Sequence, residues 1–248
     1  EALSTDAVAG RFGGKRMTYY GRWTYKFEEA ARRGALAALV IHETAGAGYG
    51  WQVAASSPGE NYAIALAKHA PQPLSLQGWL HLDAAKDLFR QAGRRFETEK
   101  RLAQSSDFKA FELQGVTFNT AISVNHEQIQ SSNVLALLPG TSQKAEYLMV
   151  SSHWDAYGQG APDVQGRTVR PGANDDALGT AGVIELARIL AAGPPLARSI
   201  IFAVWTAEES GLLGSTAYAQ NPLFPIEQTA LNLTLDILQT AGPARDVI

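Results

Sequence analysis

One imidazole and a set of carboxylates occur along this chain in four short motifs. They are His153 in SSHWDAYG, Asp175 in PGANDDALG, the pair Glu208-Glu209 in WTAEESGLLGS, and Asp236 in LNLTLDIL. Each motif follows a hydrophobic run or opens a helix. A nitrogen with several oxygens is a hard-to-borderline ligand set, suited to zinc and related divalent ions that carry a reactive water. Two neighbouring glutamates add what a purely structural metal site does not need, a spare base. Asp155 follows His153 by two residues and so faces the same side of a strand. From there it is placed to accept the other imidazole N–H and fix the tautomer. Each motif also has a plainer reading: a histidine closing a strand, an Asp pair capping a helix, a solvated Glu pair, an Asp in an ion pair. Their joint occurrence at strand ends of one segment points to metal-assisted hydrolysis.

The elements that must position these residues can be read from the apolar pattern. From about Asn133 onward, buried strands alternate with helices. Strands are expected at Asn133 to Leu138 and Glu146 to Ser151, around the turn Pro139-Gly140, then at Ser199 to Thr206 and Thr229 to Ile237. Helices are expected from about Asp176 to Ala192 and from about Gly211 to Gln220, with Asp176 as the capping residue. Such alternation implies a mostly parallel sheet covered on both faces. Sites in such sheets form beyond the carboxyl ends of the strands. The first half reads as mixed α and β. It has a helix from Thr24 to Arg33 ended by Gly34, a buried strand at Ala37 to His42, a helix capped by Asp83 and running to Gln91, and an antiparallel-type strand at Phe111 to Ser123.

The 248 residues can hold one large domain or two modest ones. A net charge of -3, with no basic tract longer than Arg32-Arg33 or Arg94-Arg95, gives no footprint for nucleic acid. The longest early apolar run, Ala35 to Ile41, is too short to span a bilayer. The absence of cysteine excludes disulfides, thiol nucleophiles and thiolate zinc sites. His42, His69, His81 and His126 are scattered singly and offer no second cluster.

The motifs, in this order, resemble those of the co-catalytic di-zinc aminopeptidases, a family that also includes glutamate carboxypeptidase II and the non-enzymatic transferrin receptor. The resemblance spans about Asn133 to Ile248 and is most specific in PGANDDALG and TAEESGLLGS. It implies His153 and Asp236 as ligands of one zinc, Asp175 as the carboxylate bridging two, and Glu209 as a ligand of the other. Glu208 would be the general base, and Asp155 the aspartate supporting the histidine. The implied reaction is hydrolysis of a peptide bond, with release of an N-terminal residue. A carboxypeptidase or dipeptidase on the same core, and a binding homologue without catalysis, remain open alternatives.

The stretch TYYGRWTYKFEEAARRGALAALVIH is similar to the protease-associated domain inserted in larger members of that family. The expected organisation is therefore a partial protease-associated domain over residues 1–120 and a zinc peptidase catalytic domain over residues 121–248. The family pattern ends with a further histidine, whereas no histidine follows His153 here. The chain is thus expected to be an internal piece lacking that ligand; two zinc ions are expected in the complete protein, with fewer possible in this chain. The opening Glu1, together with the family, suggests an exported protein, periplasmic or extracellular. Oligomeric state leaves no mark in the sequence.

Overall fold

The computed structural model describes residues 19–56, 60–65, 74–105, 107–238 and 242, and the chain divides into two compact units, one within residues 1–125 and the other mainly within residues 126–248.

In the first unit, helix α1 (Trp23–Arg32) leads through Gly34 into strand β1 (Ala37–His42). Gly34 has φ +76°, the left-handed conformation that closes a helix at little cost for glycine. Two single-turn helices follow, α2 (Thr44–Ala47) and α3 (Trp51–Ala54). Strand β2 (Leu76–His81) then pairs parallel with β1, from Ala37 opposite Leu76 to His42 opposite His81. Phe27 of α1 packs with Val40 and Leu74 to form the core of this unit. Helices α4 (Leu82–Gln91) and α5 (Phe96–Leu102) complete it.

Two local expectations fail here. The helix expected to be capped by Asp83 starts directly after β2, so the cap falls on His81, whose Nδ1 accepts the Asp83 N–H at 3.2 Å, and Asp83 sits in the first turn. The alternating segment Phe111 to Ser123 forms no strand, and Phe118 and Ile122 are exposed. Alternation describes a face, but a strand also needs a partner for its N–H and C=O groups.

The second unit is built on a four-stranded sheet, from β3 (Val134–Leu138), β4 (Gln143–His153), β7 (Arg198–Trp205) and β8 (Thr229–Thr234), in the order β3-β7-β4-β8. Between β4 and β7 lie the short hairpin β5 (Gly158–Gln159) with β6 (Val169–Arg170), and helix α6 (Leu178–Ala192). Helix α7 (Leu213–Gln220) joins β7 to β8. The pairings β4–β7 and β4–β8 are parallel and β3–β7 is antiparallel, so the sheet is the mostly parallel, helix-flanked one expected. The strands either side of Pro139-Gly140 are not neighbours, because β7 lies between them. A Cβ on Gly140 would stand 2.5 Å from the Ala197 carbonyl, so only glycine lets this turn pass the start of β7.

Strand β7 is apolar from Ile200 to Trp205 because both of its faces are covered there. Ile201, Ala203 and Trp205 join Met149 on one face, against Tyr218 of α7. Ile200 and Phe202 join Val150 on the other, against Val183, Ala187 and Leu190 of α6. Ile201 is fully buried in the middle of this strand. Ile201→Ala is expected to cost ~2–5 kcal/mol through lost burial and the cavity left behind. The measurement is denaturant unfolding of the second unit, with amide hydrogen exchange along β7 as the readout; a change under ~1 kcal/mol would remove β7 as the centre of this core.

Candidate metal centre

The parallel strands β4, β7 and β8 all end on one edge of the sheet, and the candidate residues gather there. His153 is the last residue of β4, Glu208 and Glu209 lie three and four residues past β7, and Asp236 lies two residues past β8. The expected strand to Ile237 stops at Thr234, and Ile237 itself has φ +45°. Asp236 is thereby released from the sheet and partly exposed.

Asp175 and Asp176 precede α6 in an irregular turn, Ala173–Ala177, joined by a cis peptide. The two side chains divide their work. Asp176 is buried; its Oδ1 accepts the Gly179 N–H at 3.0 Å and its Oδ2 accepts the His153 N–H at 3.1 Å. It therefore has the capping role expected of it, although the regular helix begins only at Leu178. Gly179 leaves room for this: a Cβ there would stand 2.1 Å from Asp176 Oδ1. Asp175 faces the opposite way and places Oδ1 2.9 Å from His153 Nε2.

The imidazole of His153 is the hub. Its Nε2 lies 2.9 Å from Asp175 Oδ1, 3.7 Å from Asp236 Oδ1 and 3.8 Å from Glu208 Oε2. Ligand atoms of His153, Asp175 and Asp236 all fall within 4.8 Å of one another, close enough to share one ion. The Nδ1 sits 3.1 Å from the Asp155 backbone carbonyl. A carbonyl can only accept, so Nδ1 carries a proton and Nε2 is the atom left for the carboxylates. The Asp155 carboxylate does not take the expected part: its Oδ1 is 3.6 Å from Nδ1, too far for a hydrogen bond. It accepts instead from the backbone N–H groups of Glu208, at 3.0 Å, and Glu209, at 3.1 Å.

That clamp holds a strained turn in place. Ala207 and Leu212 have φ +50° and +61°, rare for residues with a Cβ. Asn133 braces the far side, with Oδ1 accepting from Thr206 N at 3.1 Å and Nδ2 donating to the Gly214 carbonyl at 2.8 Å.

The electrostatics are those of a site with too few cations. Burial, then the charges of Asp236, Asp155 and Asp175, push the Glu208 carboxyl above its ordinary range, against His153. Burial, with the charges of Asp175 and Glu208, does the same for Glu209, against a hydrogen bond from Tyr157 and the charge of His153. Burial alone would lower the His153 pKa, but Glu208, the hydrogen bond to Asp175, and the charges of Asp176 and Asp236 outweigh it and raise it. Among the described residues, no lysine or arginine is ion-paired with Asp175, Glu208, Glu209 or Asp236. Glu209 Oε1 is buried without a hydrogen-bond partner. An imidazole, crowded carboxylates and an orphaned buried oxygen are the donor chemistry a divalent cation satisfies, so the residues present fit such an ion. Beside them opens a cavity of about 390 Å³, whose lining runs from His153, Glu208 and Asp236 to Met149, Trp205 and Tyr218.

Tyr157 is the member of this neighbourhood that the sequence reading passed over. It stands inside the SSHWDAYG motif, four residues after His153, and a hydroxylated aromatic so near a candidate ligand was the available signal.

Residues 133–248 match the model of Peptidase family M28. A probable zinc metalloprotease of Pyrenophora tritici-repentis is 34% identical over 140 residues, covering 56% of this chain and 27% of that protein. The probable lipoprotein aminopeptidase LpqL of Mycobacterium tuberculosis is 30% identical over 136 residues, covering 54% of this chain and 25% of LpqL. Aminopeptidase NAALADL1 of Rattus norvegicus is 32% identical over 121 residues, covering 45% of this chain and 14% of NAALADL1. The chain thus spans about a quarter or less of the length of these relatives. The match to Peptidase family M28 thus falls on residues 133–248, the part of the chain whose strand ends carry the candidate site.

Proposed function

We propose that the protein is a di-zinc aminopeptidase that releases N-terminal residues from peptides. The observation that carries this reading is the convergence of His153, Asp175 and Asp236 ligand atoms within 4.8 Å, with the Glu208 carboxylate 3.8 Å from the same imidazole. His153 and Asp236 would hold one ion, Asp175 would bridge to a second, and Glu209 would hold that second ion. When bound, zinc supplies a Lewis acid for the scissile carbonyl and makes water acidic enough to attack near neutral pH. Glu208 takes the proton of the attacking water and hands it to the departing amine. Its raised pKa suits both halves of that task, since a base must also act as the acid. Asp155 holds the Glu208-Glu209 backbone through its two accepted N–H bonds, which keeps the base in register with the imidazole. LpqL and NAALADL1 are both named aminopeptidases, which supports the choice of exopeptidase. The lipoprotein name of LpqL supports an exported location; no helix among the described residues is long and apolar enough to cross a membrane. Residues 1–120 would serve as a protease-associated domain.

Three outcomes test this reading in the full-length polypeptide. Glu208→Gln is expected to keep its zinc, by elemental analysis, while kcat falls by ~10²–10⁴; a variant with most of its rate intact would remove Glu208 as the base. Peptides with a free N-terminal amine are expected to be cut and their N-acetylated counterparts spared, and the reverse pattern would make the enzyme something other than an aminopeptidase. Deleting residues 1–120 is expected to raise KM for peptide substrates while zinc content stays unchanged. An unaltered KM would leave that region without the proposed role.

A further inference from the structure

We infer that Asn133 is a positioning residue for Glu208, its side-chain amide tying the neck of the turn that holds this carboxylate beside the imidazole. This role rests on Glu208 being the base, as proposed above, and adds a residue outside the candidate ligands.

The turn leaves β7 at Thr206, enters α7 at Leu213 and is closed on itself. The Gly214 N–H donates to the Thr206 carbonyl and the Leu213 N–H to the Ala207 carbonyl, each at 3.0 Å. Further in, the Gly211 and Leu212 N–H groups donate to the Glu208 carbonyl at 2.9 and 2.8 Å. Asn133 bridges the two ends of this turn. Its Oδ1 accepts the Thr206 N–H at 3.1 Å while its Nδ2 donates to the Gly214 carbonyl at 2.8 Å. The two partners are of opposite type, which fixes the orientation of the amide. A carboxylate could serve only the first of them, and an aliphatic side chain neither.

The surroundings are shaped for that bridge. A Cβ on Gly214 would stand 2.5 Å from Asn133 Oδ1 and 2.2 Å from the Thr206 carbonyl, so glycine lets the neck close. Asn133 is itself held on both sides. Val134 pairs with Val204 of β7, the Ser132 carbonyl accepts from Trp154 Nε1 at 3.2 Å, and the Ser131 and Thr206 hydroxyls lie 2.5 Å apart. Trp154 directly follows His153, so the stretch carrying Asn133 is tied to the strand of the imidazole as well.

Glu208 stands two residues past Thr206, on a backbone that would not hold its shape unaided. Ala207 and Leu212 are left-handed, and such residues persist only where the surroundings over-determine them. Asp155 supplies one restraint, through the Glu208 and Glu209 N–H groups. Asn133 supplies the other, by fixing where the turn begins and ends. With the neck open, Ala207 is free to leave its left-handed conformation. Glu208 Oε2, 3.8 Å from His153 Nε2, then moves with it. A displacement of ~1 Å in a reacting group costs ~10²-fold in rate.

The test is steady-state kinetics on the full-length polypeptide, at saturating zinc, with a peptide whose N-terminal amine is free. Wild type is compared with Asn133→Ala, Asn133→Asp, Glu208→Gln, and the variant carrying both Asn133→Ala and Glu208→Gln. Asn133→Ala is expected to lower kcat by ~10²-fold with KM unchanged. Asn133→Asp keeps the acceptor for Thr206, loses the donor to Gly214, and should fall between. In the Glu208→Gln background, Asn133→Ala should cost little more, because it acts through the group already removed. Amide hydrogen exchange, read without turnover, should quicken from Thr206 to Gly214 and stay unchanged along β7 from Ile200 to Val204. Wild-type kcat in both Asn133 variants, or an equal loss with and without Glu208, would overturn the inference while leaving the base in place. So would faster exchange along β7 too, or a failure of both variants to fold, since Asn133 would then serve the fold at large. A wild-type protein that cuts no such peptide, or a Glu208→Gln protein with full rate, would overturn the proposed function and this inference with it.

Discussion

A buried imidazole surrounded by carboxylates is the constraint on which the second unit depends. His153 is almost wholly buried, and oxygens of Asp175, Asp236 and Glu208 lie 2.9 to 3.8 Å from its Nε2. Carboxylates at such distances repel one another and resist burial, and the raised pKa values of Glu208 and Glu209 express that tension. A protein holds such an arrangement only if the backbone leaves the side chains no alternative. Two aspartates outside the ligand cluster supply that restraint. Asp176 accepts from the His153 and Gly179 amides and joins β4 to the start of α6, while Asp155 accepts from the Glu208 and Glu209 amides and joins β4 to the turn after β7. Hydrogen bonds from backbone N–H groups to a charged acceptor are among the stronger ones available.

The sheet makes that restraint possible. Because β4, β7 and β8 run parallel, their carboxyl ends share one edge, and three connections of unrelated sequence deliver ligand-type residues to it. The central strand β7 is packed on both faces, so the edge is held by the most buried part of the unit. Small residues then admit the close approaches the site needs. Gly179 lies against the Asp176 carboxylate, and Gly214 lies where a Cβ would come 2.2 Å from the Thr206 carbonyl. The same economy explains why strained φ angles gather in the turn after β7, at Ala207 and Leu212, next to the proposed base.

The amino-acid sequence by itself determined the element types of the second unit, the strand ends as the place for a site, and the residue types that gather there. Those features rest on short-range physics: apolar runs of strand length, helical periodicity, glycine at turns, and the poor fit of Asp236 to an apolar strand. Strand boundaries were legible to within a few residues, and the missed ends at Thr234 and Leu178 lie where side-chain hydrogen bonds or a φ above zero cut the pattern short. The segment Phe111 to Ser123 was misread because alternation is local and pairing is not.

Tertiary structure alone decided which groups meet. Strand order placed β7 between β3 and β4, a fact invisible in a chain where β3 and β4 are consecutive. It gave the Asp155 carboxylate to the Glu208-Glu209 backbone and left the imidazole Nδ1 to a main-chain carbonyl, although spacing alone favoured a carboxylate–imidazole contact. Residue type fixes what a side chain can donate or accept, but its partner depends on distances closed by the fold, and no local pattern carries those.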